Sequence, residues 1–271
     1  MPAQSFFYLL INSFIFYCST LSAQTINVAQ EPRAQYKRDE YLSTLLVKAL
    51  EAANYSASLN HIIVHPHQQR TLITLQNNDV DLYWSMTSPE RETLAIAIKI
   101  PLYRGYIGKR ALVTQRALLP QFKNITTLEQ LKPLTAVQGH DWPDIKVLSH
   151  NGLNVRPLAN YEAMFGLTAT GRIDYFPRSF IEVGSELTEV SNSELAIVPN
   201  IYLHYPAAFY YFVSKDKPEL AQAIEQGLTK MQKTGEFLAL FNKYFRDDLN
   251  ALPFDEAKAI EIKLVNPHFT Q

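Results

Sequence analysis

The sequence predicts an α/β fold built on parallel sheets, and three observations lead to that prediction. Short apolar runs alternate with amphipathic stretches in β-α-β-α-β order over residues 26–84. A second alternation of the same kind covers residues 134–198, and helical spacing continues from 220 to 245. Strands in this order are joined by right-handed crossovers. Because no Gly/Ser-rich or Pro-rich linker divides the two units, we expect two lobes joined by strands that cross between them.

The first unit opens with a predicted strand at residues 26–29. A helix follows, which Asp39 can cap. Further strands are predicted at residues 62–64 and 80–84, with a short helix at 68–75 between them. The first helix has one wide apolar stripe at helical spacing, formed by Leu42, Leu45, Leu46, Ala49, Leu50 and Ala53.

Later segments continue the alternation. Asp141 can cap a helix after one of the strands, and Gly235 separates two C-terminal helices. Strands are predicted at residues 94–100, 111–114, 134–138, 155–158, 172–176 and 195–198, and helices at 127–131, 161–168, 220–231 and 237–245.

Composition limits the classes of protein to consider. The chain has 271 residues, 47% of them hydrophobic and 19% charged, with a formal net charge of −1. These values are ordinary for a soluble globular protein. The balanced charge gives no reason to expect nucleic acid or an anionic membrane as a partner. The 15 Tyr and 15 Phe are enough to line a pocket with rings.

The first 23 residues are typical of a secretory signal peptide, with cleavage predicted after Ala23. Residues 6–16 are almost wholly apolar, and no charged side chain precedes Glu31. A membrane anchor is the alternative, but the apolar run is shorter than the about 18 residues that a spanning helix needs. The only cysteine, Cys18, lies in this segment, so the mature chain would contain no disulfide.

Residues 81–91 (DLYWSMTSPER) resemble the family 3 solute-binding proteins, the periplasmic receptors of polar amino acid transport. A narrower branch of that family is indicated by residues 139–144 (GHDWPD), 171–178 (GRIDYFPR), Tyr205-Pro206 and 264–267 (LVNP). Other segments in the same order fit the family: IPLYRG at 100–105, VQG at 137–139, GRID at 171–174 and YFVSK at 211–215.

The resemblance implies a two-lobed, type II periplasmic binding protein-like fold with a discontinuous first lobe. That lobe would contain residues 24–106 and 204–271, and the second lobe would be the insertion at 107–203. Two crossing strands would form the hinge. A ligand would bind in the cleft and shift the lobes from open to closed.

The predicted strand at residues 80–84 places the next residues at the carboxyl edge of the sheet, where open α/β sheets bind ligands. Ser85, Thr87 and Ser88 offer short hydroxyls and backbone N–H groups there. Arg91 offers a planar fork that matches a carboxylate. The resemblance implies that Arg91 clamps the carboxylate of the ligand. The alternative is a surface ion pair with a neighbouring glutamate.

Two residues depart from the family pattern. Met86 stands where amino acid binders commonly have Ser or Thr, and Trp84 stands where a small residue is frequent. We therefore expect a bulkier or less polar ligand than an ordinary amino acid, stacked on Trp84. The alternative for Trp84 is a place in the hydrophobic core.

From the second lobe, the resemblance implies that Asp174 holds the amino group of the ligand. Arg178 is a further candidate contact, since a desolvated charge needs a partner. The alternative is an internal ion pair, either Asp174–Arg178 or Arg178–Glu182.

The loop after the strand at 134–138 is also expected to contact the ligand. It contains Gly139, Asp141 and Trp142, and it precedes a helix whose free N–H groups suit an anion. In the stretch after the first strand, Tyr36 and Glu31 are candidates for an aromatic lid or an acidic contact. The alternatives are packing between lobes for Trp142 and an ordinary solvated loop for Tyr36 and Glu31.

Metal binding, cofactor binding and catalysis find less support in the sequence. His65 and His67 would share a strand face, but Pro66 between them favours a loop, so we expect no metal and no cofactor. No phosphate-binding loop, dinucleotide glycine pattern or nucleophile elbow is present.

The sequence thus predicts a monomeric periplasmic receptor for a small polar, carboxylate-bearing ligand, and not an enzyme. Its protein partner would be an ABC transporter permease or a membrane sensor. Two alternatives stay open. One is a periplasmic dehydratase or lyase, because the same fold hosts enzymes. The other is an interaction module whose cleft has lost its ligand.

Overall fold

The computed structural model describes residues 24–32, 36–65, 67–255 and 257–269. The predicted signal peptide at residues 1–23, with Cys18, lies outside the described residues. The chain adopts the predicted α/β fold in two lobes. In the described ranges, no helix is long and apolar enough to span a bilayer.

The described residues form strands and helices in alternation over most of the chain. The strands are β1 (Gln24–Gln30), β2 (Ala57–Ile63), β3 (Leu82–Met86), β4 (Ile96–Ala97), β5 (Lys109–Gln115), β6 (Thr135–Gly139), β7 (Asn154–Leu158), β8 (Phe176–Ser179), β9 (Leu195–His204), β10 (Phe209–Val213) and β11 (Ile260–Lys263). The α-helices are α1 (Tyr36–Ala52), α2 (Gln68–Gln76), α3 (Pro89–Glu92), α4 (Leu119–Phe122), α5 (Leu128–Leu131), α6 (Asp144–His150), α7 (Tyr161–Ala169), α8 (Val183–Val190), α9 (Pro218–Thr234) and α10 (Glu236–Asn250).

A five-stranded sheet has the order β2-β1-β3-β10-β4. β1 runs parallel to β2 and β3, whereas β10 lies antiparallel between β3 and β4. The pairing of Phe209 with Met86 fixes the register where β3 ends. β10 comes late in the chain, so this sheet joins two distant segments of the sequence, as a discontinuous lobe requires.

Helices α1 and α9 pack closely over this sheet. A Cβ added at Gly227 would lie 1.8 Å from the carbonyl oxygen of Ala49, so only glycine allows the observed separation. The apolar stripe of α1 predicted from the sequence is buried, with Leu42, Leu45 and Leu46 fully inaccessible. This contact holds the late helix against the early one.

A four-stranded sheet has the order β11-β9-β5-β8, and a two-stranded parallel sheet joins β6 and β7. β5 pairs antiparallel with β9, from Lys109↔His204 to Gln115↔Leu195. The tail strand β11 runs parallel to β9 and extends this sheet. The lobe boundaries given above stay predictions, and β11 shows that part of the tail pairs with strands from the inserted segment.

Several element boundaries differ from those predicted. α1 begins at Tyr36, so Asp39 lies in its first turn and is not its N-cap. α6 begins at Asp144 after Pro143, so Asp141 does not cap it. Both errors arise because a polar residue near a helix start was taken for the cap itself.

Four strands are also shifted. β3 is Leu82–Met86 where 80–84 was predicted, so Ser85 and Met86 lie within the strand and not after it. A strand was predicted at 62–64, but β2 is Ala57–Ile63 and begins five residues earlier. A strand was predicted at 94–100, but β4 contains only Ile96–Ala97. β8 is Phe176–Ser179, later than the predicted 172–176. The observed strand begins where the predicted one ends, and it contains Pro177 and the buried Arg178, neither of which is typical of a strand interior.

Candidate functional site

Arg91 lies in the short helix that follows β3. The Oγ of Ser88 accepts a hydrogen bond from the backbone N–H of Arg91 at 3.3 Å, so Ser88 caps α3 and Pro89 occupies its first turn. Arg91 is only 2% exposed. The cap therefore starts the helix at a point that turns the arginine inward.

The guanidinium of Arg91 donates to four acceptors of the protein. Nη1 donates to Gln68 Oε1 at 3.0 Å, Ser85 Oγ at 2.7 Å and the Met86 carbonyl at 2.8 Å. Nη2 donates to the Asp141 carbonyl at 2.9 Å. All four acceptors are neutral groups, and burial lowers the pKa of Arg91. Three of these acceptors lie near Arg91 itself, and the fourth, the Asp141 carbonyl, is in the loop after β6, so Arg91 holds that loop; it is not among the residues that line the cavity described below.

In that loop, Trp142 covers Gly139. A Cβ at Gly139 would lie 2.4 Å from Cε2 of the indole, so the ring can occupy this position only over glycine. The indole stacks on Phe176 with centroids 6.4 Å apart. On Trp142 lies the guanidinium of Arg178, whose Cζ is 5.0 Å from the ring centroid.

Arg178 is 2% exposed and is held by two carboxylates from the turn and helix that follow β8. Nε donates to Glu186 Oε2 at 2.7 Å, and Nη2 donates to Glu186 Oε1 and, at 3.1 Å, to Glu182 Oε2. Burial alone would lower the pKa of Arg178, but Glu186 and Glu182 raise it well above its ordinary value. The predicted Arg178–Glu182 pair is therefore present.

Arg110 on β5 forms a second buried group. Its Nε donates to the Tyr205 hydroxyl at 2.9 Å, and its Nη2 lies 2.5 Å from Asp144 Oδ1. Tyr205 in turn donates to Asp144. Burial raises the pKa of Tyr205 well above its ordinary value, so this phenol stays protonated and acts as a donor.

Arg38 supplies a third guanidinium, from α1. Its Nη1 lies 3.5 Å from Glu182 Oε1, and its Nη2 lies 4.0 Å from Glu31 Oε2. Glu31 accepts a further hydrogen bond from the hydroxyl of Tyr83. The Arg38–Glu182 contact is an ion pair between α1 and the start of α8.

These groups surround a cavity of about 30 Å³ in the cleft between the lobes. That volume is about the space of one water molecule. The walls come from both sides of the cleft: Arg38, Gln68, Met86, Ile107, Arg110, Trp142, Asp144, Arg178, Glu182 and Phe209.

Most of the predicted site residues lie at or near this cleft. Asp141 contributes its carbonyl to Arg91 and its Oδ2 to the backbone N–H of Gln69, at 3.1 Å. Two of them line the cavity itself: Trp142 and Arg178. Four others contact its lining residues, namely Glu31, Ser85, Arg91 and Gly139, and Asp141 binds Arg91.

Three predicted contacts have other roles. Trp84 is 3% exposed and packs edge-on against Tyr211 in the core, with centroids 6.2 Å apart, so it offers no stacking face to the cleft. The hydroxyl of Thr87 donates to Glu92 Oε1 at 2.8 Å, and Ser88 is the helix cap described above. The side chain of Tyr36 lies outside the described part of the structure.

Asp174 is not brought to the cleft. Its Oδ2 accepts the backbone N–H of Thr135 at 2.7 Å, and its carbonyl accepts the hydroxyl of Thr114. Thr135 begins β6, whereas Gly139 ends it at the cleft. Asp174 therefore fixes the opposite end of that strand.

Sequence reasoning missed most residues that line the cavity, among them Arg38, Arg110 and Asp144, and it missed Tyr205, which binds Arg110 and Asp144. Asp144 and Tyr205 stand in segments that the resemblance had singled out, GHDWPD and Tyr205-Pro206, so a signal for them was present. Arg38 and Arg110 carry no such signal, because each becomes a cleft residue only through partners more than 30 positions away.

The predicted histidine loop lies beside the cleft mouth. The ring centroids of His65 and His67 are 4.5 Å apart, and so are those of His67 and His140. Within the described residues, no group of three or more His, Cys, Asp or Glu side chains is arranged to hold a metal ion.

The chain belongs to the bacterial extracellular solute-binding proteins, family 3, whose profile matches residues 42–247. The resemblance stated from the sequence is therefore confirmed. A search of curated proteins finds no match.

Solved structures with the same fold include binding proteins and a sensor. A Salmonella typhimurium periplasmic binding protein described as highly specific for arginine is 16% identical, with TM-score 0.60, and the match covers 82% of this chain and 100% of that one. An amino acid ABC transporter substrate-binding protein from Streptococcus pneumoniae, bound to L-arginine, is 16% identical, with TM-score 0.62 and 83% and 96% covered. A histidine kinase sensor domain is 18% identical, with TM-score 0.61 and 82% and 96% covered. At these identities the likeness shows the fold alone.

Proposed function

We propose that this chain is a periplasmic receptor that captures a small polar, carboxylate-bearing solute between its lobes. The observation that carries the proposal is the cavity in the cleft, where buried guanidinium groups from both sides converge. Guanidinium groups are planar, always charged and matched to carboxylate oxygens in two hydrogen bonds.

The donors of the cavity lining support a ligand that bears a carboxylate. Three arginines line the cavity, and each is also paired with at least one carboxylate of the protein. The proposal therefore rests on the guanidinium donors that meet there, which match carboxylate oxygens, and not on an excess of positive charge. The prediction that the ligand is anionic therefore rests on Arg38, Arg110 and Arg178 more than on Arg91, whose donors bind protein acceptors.

Binding would require the lobes to separate. The cavity of about 30 Å³ is far smaller than the usual ligand site of about 300–1,000 Å³. Hinge rotation is the usual way in which two-lobed receptors admit a solute. β5 and β9, which pair side by side at the cleft, are the strands about which we expect the lobes to rotate.

The partner would be an ABC importer or a membrane sensor in the bacterial envelope. Structures with this fold include both a transporter substrate-binding protein and a histidine kinase sensor domain. The predicted signal peptide supports export, and we propose a monomeric mature chain in the periplasm.

Isothermal titration of the mature protein against a library of small carboxylates and amino acids tests the proposal. We expect at least one compound with micromolar affinity, and at least about tenfold weaker binding by the Arg110→Met variant. Arg116→Met is the matched control, since Arg116 is exposed and its guanidinium donates to the carbonyls of Ser193 and Leu195, away from the cavity. Folded wild-type protein that binds nothing in the library would contradict the proposal.

A second candidate function is an interaction module with a cleft sealed by its own side chains. The contacts Arg38–Glu182 and Arg91–Asp141 favour it, because they join the two sides directly. Small-angle scattering separates the two candidates. A receptor changes its radius of gyration when the bound compound is added, and a sealed module keeps one value throughout.

A further inference from the structure

The carboxylate of Glu182 lies among the three arginines of the cavity. Its Oε1 is 3.5 Å from Nη1 of Arg38, and its Oε2 is 3.1 Å from Nη2 of Arg178 and 3.9 Å from Nη1 of Arg110. All four side chains are at most 6% exposed. One carboxylate is thus shared by three guanidinium groups that come from α1, β5 and β8.

Each arginine has, in addition, a carboxylate that it does not share with the other two. If Glu182 were removed, every guanidinium would keep an anionic partner, so the shared carboxylate is not required to neutralise any single arginine. These separate partners are Asp39 for Arg38 at 3.2 Å, Asp144 for Arg110 at 2.5 Å and Glu186 for Arg178 at 2.7 Å.

Glu182 lies at the N-cap of α8, outside the body of the helix. It precedes α8 in a short turn, in which its N–H donates to the Ser179 carbonyl at 3.0 Å. A rotation about its side-chain bonds moves the carboxylate without altering the helix. Glu186, by contrast, lies within α8 and binds Arg178 through both of its oxygens.

We infer that the point where Arg38, Arg110 and Arg178 converge is the carboxylate-binding position of the cleft, and that Glu182 occupies it as a tethered surrogate for the ligand. The inference deepens the proposed function and rests on it. A compact organic carboxylate takes this position by displacing Glu182. The exchange replaces one buried anion with another, so the charge of the cleft is the same in the sealed and the ligand-bound forms.

This arrangement has a consequence for affinity. The tethered carboxylate competes with the ligand, and its contact with Arg38 holds the lobes together before any ligand enters. A ligand binds only those molecules in which the position is open. Its apparent affinity is therefore the intrinsic affinity multiplied by the open fraction. Removing the Glu182 carboxylate raises the affinity for an added carboxylate.

The test uses propionate, which has the same carbon chain and carboxylate as a glutamate side chain, and propionamide as its neutral counterpart. Binding is measured by calorimetry on the wild type and on Glu182→Ala. We expect Glu182→Ala to bind propionate at least about tenfold more tightly than the wild type does, with no gain for propionamide. Glu189→Ala, an exposed change on the same helix, is the matched control and should resemble the wild type.

Equal gains for propionate and propionamide, or no gain for either, would overturn the inference. If Glu182→Ala does not fold, Glu182→Asp replaces it, because the shorter carboxylate withdraws from the arginines yet keeps the charge. A folded Glu182→Asp with no gain for propionate overturns the inference equally. The two proposals fail separately. If a library solute binds the wild type, the receptor function is supported, whether or not propionate binds. If Glu182→Ala binds propionate more tightly, the carboxylate position is supported, whether or not the library contains a ligand.

Discussion

Nη2 of Arg91 donates a hydrogen bond of 2.9 Å to the backbone carbonyl of Asp141, which joins the helix after β3 to the loop after β6. The other amino group, Nη1, binds three more acceptors within the first lobe. A single buried side chain therefore positions two loops on opposite sides of the cleft.

We predict that Arg91→Met destabilises the protein by about 2–4 kcal/mol, because buried acceptors lose their charged donor. The free energy of unfolding is measured by urea denaturation. Arg116→Met, at an exposed arginine with two backbone acceptors, should cost no more than about 0.5 kcal/mol. A fully stable Arg91→Met would show that Arg91 does not organise the loops.

Gly139→Ala tests the contact between Gly139 and Trp142. The new Cβ would lie 2.4 Å from the indole, so the ring must move away from Phe176 and Arg178. We expect a loss of about 1–3 kcal/mol in the free energy of unfolding. Fluorescence should also change, since Trp142 is one of only two tryptophans in the chain.

Gly166→Ala is the control for that substitution. Gly166 lies within α7, and a Cβ there meets nothing within 4 Å. The change should stabilise the protein by about 0.5–1 kcal/mol, because alanine loses less backbone entropy in a helix. If both variants lose stability equally, the packing of Trp142 is not the cause.

The buried position of His268 predicts that the stability of the fold depends on pH. Its Nε2 is buried without a hydrogen-bond partner in the described ranges, and burial lowers its pKa below the ordinary value of 6.5. The charged side chains that act on it are Glu90, Lys146, Arg91 and Asp144. The folded form keeps the ring neutral, whereas the unfolded chain takes up a proton near pH 6.5. Stability is therefore full above that pH and falls as pH decreases, until the folded form is protonated too.

His268→Gln should remove this part of the pH dependence. The measurement compares urea unfolding at pH 7.5 and at 5.5 for wild type and variant. His150→Gln, at an exposed position near the end of α6, should keep the wild-type dependence. An unchanged pH dependence in His268→Gln would refute the assignment to His268.

Glu90 and Lys146 form an ion pair across the rim of the cleft, with Nζ 2.9 Å from Oε1. The hydrogen bond from Lys146 is the largest of the effects that lower the pKa of Glu90 to about 2. The pair therefore stabilises the folded form above about pH 4.5, and this contribution is lost as pH falls toward 2.

Because both side chains are more than half exposed, we expect Lys146→Gln to cost less than about 1 kcal/mol. The difference from wild type should vanish at high salt, where exposed charges are screened. Urea unfolding at low and high ionic strength measures it. A cost that persists in about 1 M salt would mean that the pair acts by packing instead.

Local periodicity predicted much of the fold. The stripe of α1 and the strand β3, the latter two residues too early, were predicted because burial imposes a regular spacing on apolar residues. The helix at Gln68–Gln76 matched its predicted range to within one residue for the same reason. The prediction failed at β8, whose interior residues Pro177 and Arg178 carry no strand signal; the neighbouring glutamates pair with the buried arginine there.

The cleft could be predicted only in part. Arg91 and the Gly139 loop follow from their positions at the carboxyl ends of strands, which is a local property. The pair Arg38–Glu182 joins the two lobes, and the pair Arg110–Asp144 joins two separate elements within the inserted segment. One sequence alone contains no record of which distant residues meet, so these partners could not be predicted from it.

The last described residues connect a helix on each side of the cleft. The N–H of Val265 donates to Asn151 at the end of α6, and His268 lies 3.8 Å from Glu90 in α3. Separating those two helices must stretch this segment or release it. A pulling force on the chain at residue 269 would therefore be transmitted to α3 and α6 at the rim of the cleft. A tether attached at that end would respond to whether the lobes are open or closed.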